Sequence, residues 1–553
     1  TSLDVNNNTA LNELRCTDNQ LTTLDVSANT ALTNYLDCSY NQLSSLDISS
    51  NTALIKLACQ GNQLTSLDVN NNTALDYLNC YNNQLTSLDV SNNTELEFLW
   101  VSENPLTSLD VSANTDLTEL RCSGPYPELG LLTSLDVGAN TALERLSVQH
   151  NQIQTLDVSN NTELNQLECQ VNQIQVLDLS NNTKLHFLNC VDNQISTLDL
   201  SDNLDLTWLG CANNPITELD VSVHESLQFL WSSETQLTSL DVSNNPLLTY
   251  LEIPNNPLTY LNMKNGITDQ LTTFSATGNS SLTCIETLDP DYATANWTNA
   301  NGNIDDGVTF DVICGAEART HWYVDTTGSD ASGSGTLASP LANIQTAINA
   351  TTDGDTVSVA AGTYVENLVF GGKNLSLIGA DSSNTIIDGD SVSQVINLHN
   401  GEDSTSVIKN FTLRNGIGFE GNGSAILMGG GANGGYGPKL ENLCITQNYG
   451  GAIKSFGSTF SLKNSRIINN HDWGIGFQYL QLSTLDNVII SGNQGMGVFI
   501  ESSGASPVFN NVTISNNVGG NGAGVRCKDQ ASPTFTNCVI SNNTATGSGG
   551  GIY

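Results

Sequence analysis

The chain has 553 residues, with 16 basic and 56 acidic side chains and a formal net charge of −40. Residues 1–283 hold 33 of the acidic residues and only 6 of the basic ones. A field of this sign repels nucleic acid and anionic membranes, which argues against a nucleic acid partner. No run reaches the roughly 18 apolar residues that span a bilayer, so we expect no direct membrane insertion.

A 21-residue unit, LxxLxCxxNQLTSLDVSNNTA, repeats about twelve times between residues 1 and 262. Leu75, Leu78, Cys80, Asn83 and Leu85 mark one copy. Their spacing matches the leucine-rich-repeat signature with cysteine in the third apolar position. Because each unit buries its apolar face only against the next unit, the pattern predicts a mainly β solenoid over residues 1–283. One copy carries an insertion at residues 123–131.

These repeats resemble the cysteine-ladder leucine-rich repeats of internalin-type bacterial surface proteins and the secreted repeat proteins of Bacteroidota. The resemblance covers nearly half of the chain and is specific for the fold. It implies an extracellular protein at a bacterial cell surface, exported by type 9 secretion, with a secretion-system or surface-anchoring partner. It also implies an adhesin or recognition module, but it does not identify the ligand.

One column of the repeat holds cysteine in eight copies and an apolar residue or serine in others, such as Val101, Val148 and Ser232. A disulfide or a thiolate metal site would not tolerate valine in the same position, so we expect buried free thiols. The cysteines are Cys16, Cys38, Cys59, Cys80, Cys122, Cys169, Cys190 and Cys211.

A second column is aspartate in twelve copies, from Asp4 to Asp241, and ends in Asn262. Aspartate side chains accept hydrogen bonds from backbone N–H groups in turns, so we expect these residues to cap turns. A ladder that binds calcium is the weaker alternative. No other cofactor or metal is expected.

Aromatic side chains occupy strand positions that should point away from the core. Such rows offer stacking platforms for sugar rings or anchors for a protein partner, so we predict a ligand-binding site on the concave face. Cross-strand pairing that only stabilises the sheet is the alternative. The predicted ligand-binding residues form two clusters: Tyr77, Phe98 and Trp100, then Phe187, Trp208, Phe229, Trp231 and Tyr250.

Residues 284–319 lack the leucine period and carry a cysteine near each end. Terminal coils of solenoids are atypical because they must cover an open core, so this segment is predicted to be a C-terminal cap followed by a short linker. Cys284 and Cys314 lie off the cysteine column and are the most plausible disulfide in a secreted protein.

Residues 320–553 form a different repeat. SPLANIQTAI, GDTVSVAAGTY and KNLSLIG resemble the opening of pectate-lyase-like right-handed parallel β-helices, and Pro340–Ala350 is predicted to form a capping helix. Later coils share an asparagine that we interpret as a hydrogen-bonded turn ladder. The sequence breaks off inside a coil at Tyr553, so we expect truncation. The asparagines are Asn410, Asn442, Asn464, Asn487, Asn511 and Asn537.

The β-helix resemblance implies a polysaccharide lyase or hydrolase, which needs a positioned base with a cation, or paired carboxylates. Neither set is evident, and no catalytic residue is assigned. Two groups of charged residues are able to share a face, although chance placement on the surface is the favoured explanation: Lys454, Arg466, His471 and Asp472, and Arg526 with Lys528.

The sequence favours a secreted surface binding protein or adhesin for a polysaccharide or protein ligand. The alternatives are a carbohydrate-active enzyme with its catalytic site in the β-helix, and a purely structural surface component.

Overall fold

A computed structural model describes residues 2–125, 127, 129–315, 319–418, 423–429, 435–479, 482–502 and 504–553. This part of the chain is almost wholly parallel β-structure and carries two short helices. It divides into two compact units, Thr1–Thr287 with Tyr292–Phe310, and Leu288–Asp291 with Asp311–Tyr553. The predicted fold class, a mainly β protein built from two solenoids, is confirmed.

In the first unit, thirteen short strands form one parallel sheet whose register advances by one repeat per strand. Leu78, for example, lies beside Leu57 on one side and Leu99 on the other. The central residue of each strand points inward, and its two neighbours point to the outer face. The strands are Glu13–Arg15, Tyr35–Asp37, Lys56–Ala58, Tyr77–Asn79, Phe98–Trp100, Glu119–Arg121, Arg145–Ser147, Gln166–Glu168, Phe187–Asn189, Trp208–Gly210, Phe229–Trp231, Tyr250–Glu252 and Thr273–Ser275.

Two smaller parallel sheets complete the strands of this unit. The first pairs Ser2–Leu3 with Thr23–Leu24. The second contains Ser239–Asp241, Tyr260–Asn262, Cys284–Glu286 and Thr309–Asp311.

The cysteine column lies in the core of the first unit. All eight thiols are free and buried, as predicted. Burial raises the pKa of both Cys80 and Cys169 to about 12, because the thiolate would lose its hydration. The column therefore contributes small apolar side chains to the core, which is why valine replaces cysteine at 101 and 148.

The aspartate column caps turns, as predicted. Asp25 Oδ1 accepts a 2.9 Å hydrogen bond from the Ser27 N–H and a 2.6 Å bond from the Ser27 hydroxyl. Asp89 and Ser91 repeat this arrangement at 3.0 and 2.6 Å. One oxygen of each of these carboxylates is thus used within its own coil.

Buried asparagines join consecutive coils. Asn51 Nδ2 donates to the carbonyls of Val26 and Asn29 in the preceding coil, at 3.2 and 2.8 Å. Further along the coil, Asn83 Nδ2 donates to the carbonyl of Cys59, while its Oδ1 accepts from the Leu64 N–H at 3.0 Å. Each coil therefore satisfies backbone groups that its neighbour would otherwise bury without partners.

The predicted cap contains a helix, Pro290–Asn296, and an aromatic cluster. Trp297 is buried between Phe274 and Phe310, with ring centroids 4.6 and 5.8 Å away. Lys264 and Glu286 form a buried ion pair at 2.6 Å. Cys284 and Cys314 are both disulfide-bonded.

The second unit is a parallel β-helix with three sheets, called here the first, second and third sheets. The first contains His321–Val324, Thr356–Val359, Ser376–Gly379, Val407–Lys409, Gly435–Glu441, Ser458–Lys463, Thr484–Asp486, Val508–Asn510 and Thr534–Thr536. The second contains Gly362–Val365, Thr385–Asp388, Thr412–Arg414, Cys444–Thr446, Arg466–Ile468, Ile489–Ser491, Thr513–Ser515 and Val539–Ser541. The third contains Leu368–Val369, Ile396–Leu398, Gly423–Gly429, Gly451–Phe456, Ile475–Gln478, Val498–Glu501 and Val525–Lys528. A two-stranded pair joins Val518–Gly519 to Thr544–Ala545.

The predicted asparagine ladder of the β-helix is confirmed. Its members have positive φ and turn the chain from the first sheet to the second; Asn442 has φ 53°. Asn442 Nδ2 donates to Asn410 Oδ1 at 3.1 Å, and Asn487 Nδ2 donates to Asn464 Oδ1 at 2.9 Å. Asparagine tolerates this backbone region better than most residues, so the turn and the ladder select the same side chain.

The capping helix is shorter than predicted and runs from Ile344 to Ala350 rather than from Pro340. The N–H of Leu341 donates to the Tyr323 carbonyl at 3.0 Å, which holds this segment in an extended bridge. Glu366, just after strand Gly362–Val365, accepts from the N–H groups of Ile344 and Gln345, both at 2.8 Å. Pairing with the sheet thus keeps residues 340–343 out of the helix. The helix begins at Ile344, where the Glu366 carboxylate accepts hydrogen bonds from the first free N–H groups.

Candidate functional site

The outer face of the thirteen-stranded sheet, which corresponds to the predicted concave face, presents two rows of side chains. The inner row precedes the buried leucine of each strand and includes Tyr77, Phe98, Phe187 and Trp208. The outer row follows that leucine and includes Trp100. All eight predicted ligand-binding aromatic residues lie in these rows, and each is half-buried: Tyr77, Phe98, Trp100, Phe187, Trp208, Phe229, Trp231 and Tyr250.

Four aromatic rings of the second cluster form one continuous stack, called here the ring ladder: Phe187, Trp208, Phe229 and Tyr250. Successive centroids are 4.3, 4.6 and 4.0 Å apart, and neighbouring planes are within 13° of parallel. The two middle rings, Trp208 and Phe229, each have another ring on both faces. A ligand would therefore contact only their edges. This geometry favours cross-strand stabilisation for the ladder.

Trp231 belongs to the second cluster but stands outside the ring ladder. It lies in the outer row, beside Gly210 and Glu252. Its Nε1 donates a 2.8 Å hydrogen bond to Ser233 Oγ. The second cluster is therefore two separate features rather than one platform.

The first cluster packs in a less regular way. Tyr77 meets Trp100 edge to face at 5.5 Å, and Phe98 is 6.2 Å from Tyr77. The Arg121 guanidinium lies 4.7 Å from the Trp100 ring centroid on the next strand. Trp100 is thus held between an aromatic edge and a cation.

A buried carboxylate fixes the two arginines beside this cluster. Glu119, with a side chain only 3% exposed, accepts from Arg121 Nε at 2.6 Å and from Arg145 Nε at 2.7 Å. Arg121 is therefore positioned both by Glu119 and by Trp100. Charge-assisted hydrogen bonds of this kind limit the rotamers of long side chains.

Next to Trp100, the outer row borders a groove of about 570 Å³, called here the aromatic groove. Its lining combines three aromatic rings with hydroxyl, amide, carboxylate, guanidinium and imidazole groups. The residues are Tyr40, Gln60, Asn79, Tyr81, Trp100, Ser102, Glu103, Arg121, Ser123, Gly124, Ser147, Gln149, His150 and Glu168.

The outer wall of the aromatic groove is formed by the turn that follows the cysteine column. The residue two positions after the cysteine column, whether the column holds cysteine or valine, adopts positive φ in most coils, including Tyr40 at 52°, Glu103 at 53° and His150 at 55°. The Tyr40 ring lies against Gly61 of the next coil, where a Cβ would come within 2.6 Å of its Cδ1. Glycine at 61 therefore lets the Tyr40 ring lie flat along the wall.

The insertion at residues 123–131 packs against the same wall of the groove. Gly130 N–H donates to the His150 carbonyl at 2.7 Å, and a Cβ on Gly124 would come within 1.9 Å of that oxygen. Only glycine permits this approach. Tyr126 and Glu128, within the insertion, lie outside the described residues.

Two groove residues carry polar atoms that are buried and lack a hydrogen-bond partner in the described part of the chain. One is a donor, Trp100 Nε1, and the other an acceptor, Gln60 Oε1. Tyr81 is close to Glu103: burial first, and then its hydrogen bond to Glu103, raise the pKa of the Tyr81 phenol. The hydroxyl, amide and carboxylate groups that line the groove are suited to ligand groups that both accept and donate.

The structure thus joins one predicted residue, Trp100, to a set that the sequence prediction did not include. Tyr40, Gln60, Tyr81 and His150 follow the cysteine column by one or two positions, whereas the prediction considered only the rows beside the strand leucine. The sequence feature that could have identified them is the variation of residue type from coil to coil. These positions hold tyrosine, glutamine or histidine in some coils and serine, glycine or asparagine in others.

In the β-helix, Lys454 and Arg466 do not share a face. Lys454 lies on the third sheet and Arg466 on the second, because the chain turns between them at the positive-φ residues Gly457 and Asn464. His471 lies in the next turn, after Asn469, and stacks on Tyr449 at 4.5 Å. Arg526 and Lys528 do share the outer face of one strand.

Within the described ranges, no helix has the length and apolar character needed to cross a bilayer. In the same ranges, no three or more His, Cys, Asp or Glu side chains are grouped as metal ligands would be.

Comparison with known proteins finds similarity in both units. Residues 394–553 match the family model described as a right handed beta helix region. The functional domain of InlJ from Listeria monocytogenes, described as including a cysteine ladder, is 29% identical over 65% of this chain and 76% of that one, with a TM-score of 0.46. A leucine-rich-repeat protein of Leptospira interrogans is 23% identical over 51% and 79%, with a TM-score of 0.41. The leucine-rich effector YopM from Yersinia pestis is 21% identical over 50% and 78%, with a TM-score of 0.40. No curated protein matches the chain.

Proposed function

We propose that this chain is a secreted bacterial surface protein that binds a polysaccharide in the aromatic groove of its leucine-rich-repeat unit. The observation that carries the proposal is the combination of three aromatic rings, Tyr40, Tyr81 and Trp100, with hydroxyl, amide and carboxylate groups in one groove. Sugar rings present apolar C–H faces and hydroxyl edges, and this groove offers a partner for each.

The physical argument begins with the rings. Tyr40 is 48% exposed, so it retains a face for a ligand while its other side contacts Gly61. An aromatic contact is worth about 0.5–1.5 kcal/mol beyond the area that it buries. Several rings along one groove then support binding of a chain of sugars, although each contact alone is weak.

The polar groups add orientation. A sugar hydroxyl both donates and accepts, so it is able to bond to the hydroxyl, amide and carboxylate groups of the lining without a charged group of its own. Among the groove residues, Arg121 is already engaged by Glu119.

Two features support export of the protein. Cys284 and Cys314 are disulfide-bonded, and structural disulfides persist in oxidising compartments. A net charge of −40 keeps a secreted protein soluble. Attachment to a bacterial surface, with a secretion-system or anchoring partner, completes the proposal.

A glycan array probed with the whole chain, followed by calorimetric titration of the best ligand, tests this function. Tyr40→Ala and Tyr81→Ala should each weaken binding about tenfold, which corresponds to 1.4 kcal/mol per ring. Gln60→Ala should weaken binding by a smaller factor. Trp100→Ala should also weaken binding, but it disturbs the Tyr77 and Arg121 contacts as well, so it is the less specific variant.

Tyr250→Ala is the matched control, because it removes an aromatic ring from the same sheet at the end of the ring ladder. It should leave glycan affinity unchanged. Binding that ignores Tyr40 and Tyr81, or that is lost only with Tyr250, would contradict the groove. An empty array accompanied by a protein ligand sensitive to Tyr40 would assign the groove to a protein partner instead.

A further inference from the structure

The third sheet of the β-helix carries a group of cations around one aromatic ring, called here the Phe499 cluster. Lys454, Phe499 and Arg526 belong to one row of outward positions, with Gly476 between the first two. Lys528 is two residues beyond Arg526 on the same strand. The ring centroid of Phe499 is 5.9 Å from Lys454 Nζ, 5.8 Å from Arg526 Cζ and 5.4 Å from Lys528 Nζ.

Lys454 is the buried member of this cluster. The residue is only 6% exposed, and its ammonium also lies 5.1 Å from Phe456 and 5.2 Å from Trp473. In the described ranges no oxygen atom forms a hydrogen bond with its Nζ. Aromatic faces attract a cation, but they do not replace the hydrogen bonds that an ammonium makes in water.

Close packing holds the lysine in this position. A Cβ on Gly451 would come within 2.1 Å of the Trp473 indole, and a Cβ on Gly476 would come within 3.1 Å of the Lys454 Cδ. The two glycines thus make room for the indole and for the lysine stem. A built enclosure around a cation distinguishes this place from a solvated surface lysine.

Arg526 is a second cation whose hydrogen bonds are incomplete. Its Nε is buried and has no hydrogen-bond partner in the described part of the chain. Phe499 occupies one face of its guanidinium at 5.8 Å. Guanidinium N–H groups in a fixed fork suit an oxyanion with two or more acceptor oxygens.

The charges in the cluster do not balance. Glu501 accepts from Lys528 Nζ at 3.0 Å and from Gln478 Nε2 at 3.1 Å, and it also attracts Lys454 electrostatically. Three cations therefore face one anion, in a chain that is otherwise strongly acidic. Cations that converge on one ring repel one another unless an anion lies among them.

We propose that the Phe499 cluster is a binding site for an oxyanion, a carboxylate or sulfate group carried by a saccharide, with Lys454 and Arg526 as its principal donors. The rings of Phe456, Trp473 and Phe499 flank the anion and contact the apolar part of its carrier. The site is independent of the aromatic groove and takes charged rather than neutral sugars.

Calorimetric titration of the whole chain tests the site with three probes. They are a uronic acid hexamer, a hexasaccharide of uncharged sugars that carries sulfate groups, and the same hexasaccharide without sulfate. At least one anionic probe should bind at low ionic strength, and its affinity should fall as salt is added. Binding of the uronic acid alone, of the sulfated sugar alone or of both supports the proposal and identifies the anion. Failure of both, or equal binding of the neutral probe, overturns it.

Variants then locate the binding. Arg526→Gln and Lys454→Gln should each weaken the anionic probe at least tenfold, while Lys463→Gln, which removes an exposed charge from the first sheet, should leave it unchanged. A circular dichroism melt checks that each variant is folded. If Lys454→Gln does not fold, Arg526→Gln decides. Equal affinity of Arg526→Gln and the parent chain, or equal losses in Arg526→Gln and Lys463→Gln, contradicts the site.

Discussion

The indole of Trp208 lies against the Cα of Gly210, two residues further along the same strand. A Cβ on Gly210 would come within 2.7 Å of Trp208 Cη2 and 2.8 Å of Cζ3, closer than side chains approach in folded proteins. The indole also stacks between Phe187 and Phe229, so it has little freedom to move away. The absent side chain at 210 is therefore part of the ring ladder.

Gly210→Ala should destabilise the leucine-rich-repeat unit by about 1–3 kcal/mol, the usual cost of overpacking. The reason is that either the indole leaves the stack or the strand shifts. Chemical unfolding followed by tryptophan fluorescence measures the effect. In a Trp208→Ala background the same substitution should cost close to nothing, and an equal cost in both backgrounds would contradict the contact.

Glu119→Gln should destabilise the protein by about 1–3 kcal/mol, because it removes the charge that two arginines share. The arginine side chains are 49% and 39% exposed, so water compensates part of the loss. Glu163→Gln is the control, since Glu163 pairs with Lys184 at the surface with both side chains about half exposed. That variant should change stability by less than about 0.5 kcal/mol, and similar losses in the two variants would refute the special position of Glu119.

The aspartate column predicts loss of stability in acid. The Ser91 hydroxyl, and then the Ser91 N–H, lower the pKa of Asp89 below its ordinary 3.8, and Ser112 does the same for Asp110. An acid whose pKa is lower in the folded state stabilises the fold above the unfolded value, and this contribution is lost as pH falls through the folded value. The melting temperature should therefore decrease as pH is lowered below 3.8.

Asp89→Asn with Asp110→Asn should make that acid dependence shallower, because the amide oxygen still accepts the turn hydrogen bond but does not titrate. Melting curves between pH 2 and pH 6, recorded by circular dichroism, provide the measurement. An unchanged slope in the double variant would remove these carboxylates as its source.

The cysteine column should be chemically inert in the folded protein. Burial raises the pKa of Cys122 and Cys169 to about 12, so very little reactive thiolate exists at pH 8, and the column is closed to reagents. Iodoacetamide should modify the partly exposed Cys444 and Cys538, and Cys527 more slowly because burial raises its pKa. Mass spectrometry of peptides from folded and unfolded protein separates the two sets, and rapid labelling of Cys80 in the folded chain would contradict the prediction.

The columns of the fold were predictable because a fixed period puts equivalent residues side by side whatever their detailed packing. Cys59 and Cys80 must align once the 21-residue repeat is recognised. The start of helix Ile344–Ala350 was not predictable in this way, because the carboxylate that caps it belongs to Glu366, more than twenty residues later in the chain. The local sequence pattern indicates which residues favour a helix, but it does not indicate which distant side chain caps the helix.

The candidate site was only partly predictable for a related reason. Trp100, in the outer row, and Trp208, in the inner row, are both aromatic residues of the same sheet face, yet one borders a groove and the other is enclosed in a stack. The difference depends on neighbours, Gly210 beneath one ring and Arg121 beside the other. Tyr40 and His150 reach the groove because their backbone has positive φ, which their residue types do not suggest.

The asparagine bonds that join coils also determine how the molecule can change in length. The side-chain amides of Asn51 and Asn72 each donate to two carbonyls of the coil immediately before, and through equivalent atoms. Excision or duplication of one whole repeat would therefore rejoin the chain at a seam chemically identical to the original. The number of coils can thus be altered by recombination between repeats without any compensating mutation in the core, while the side chains on the outer face diverge one coil at a time.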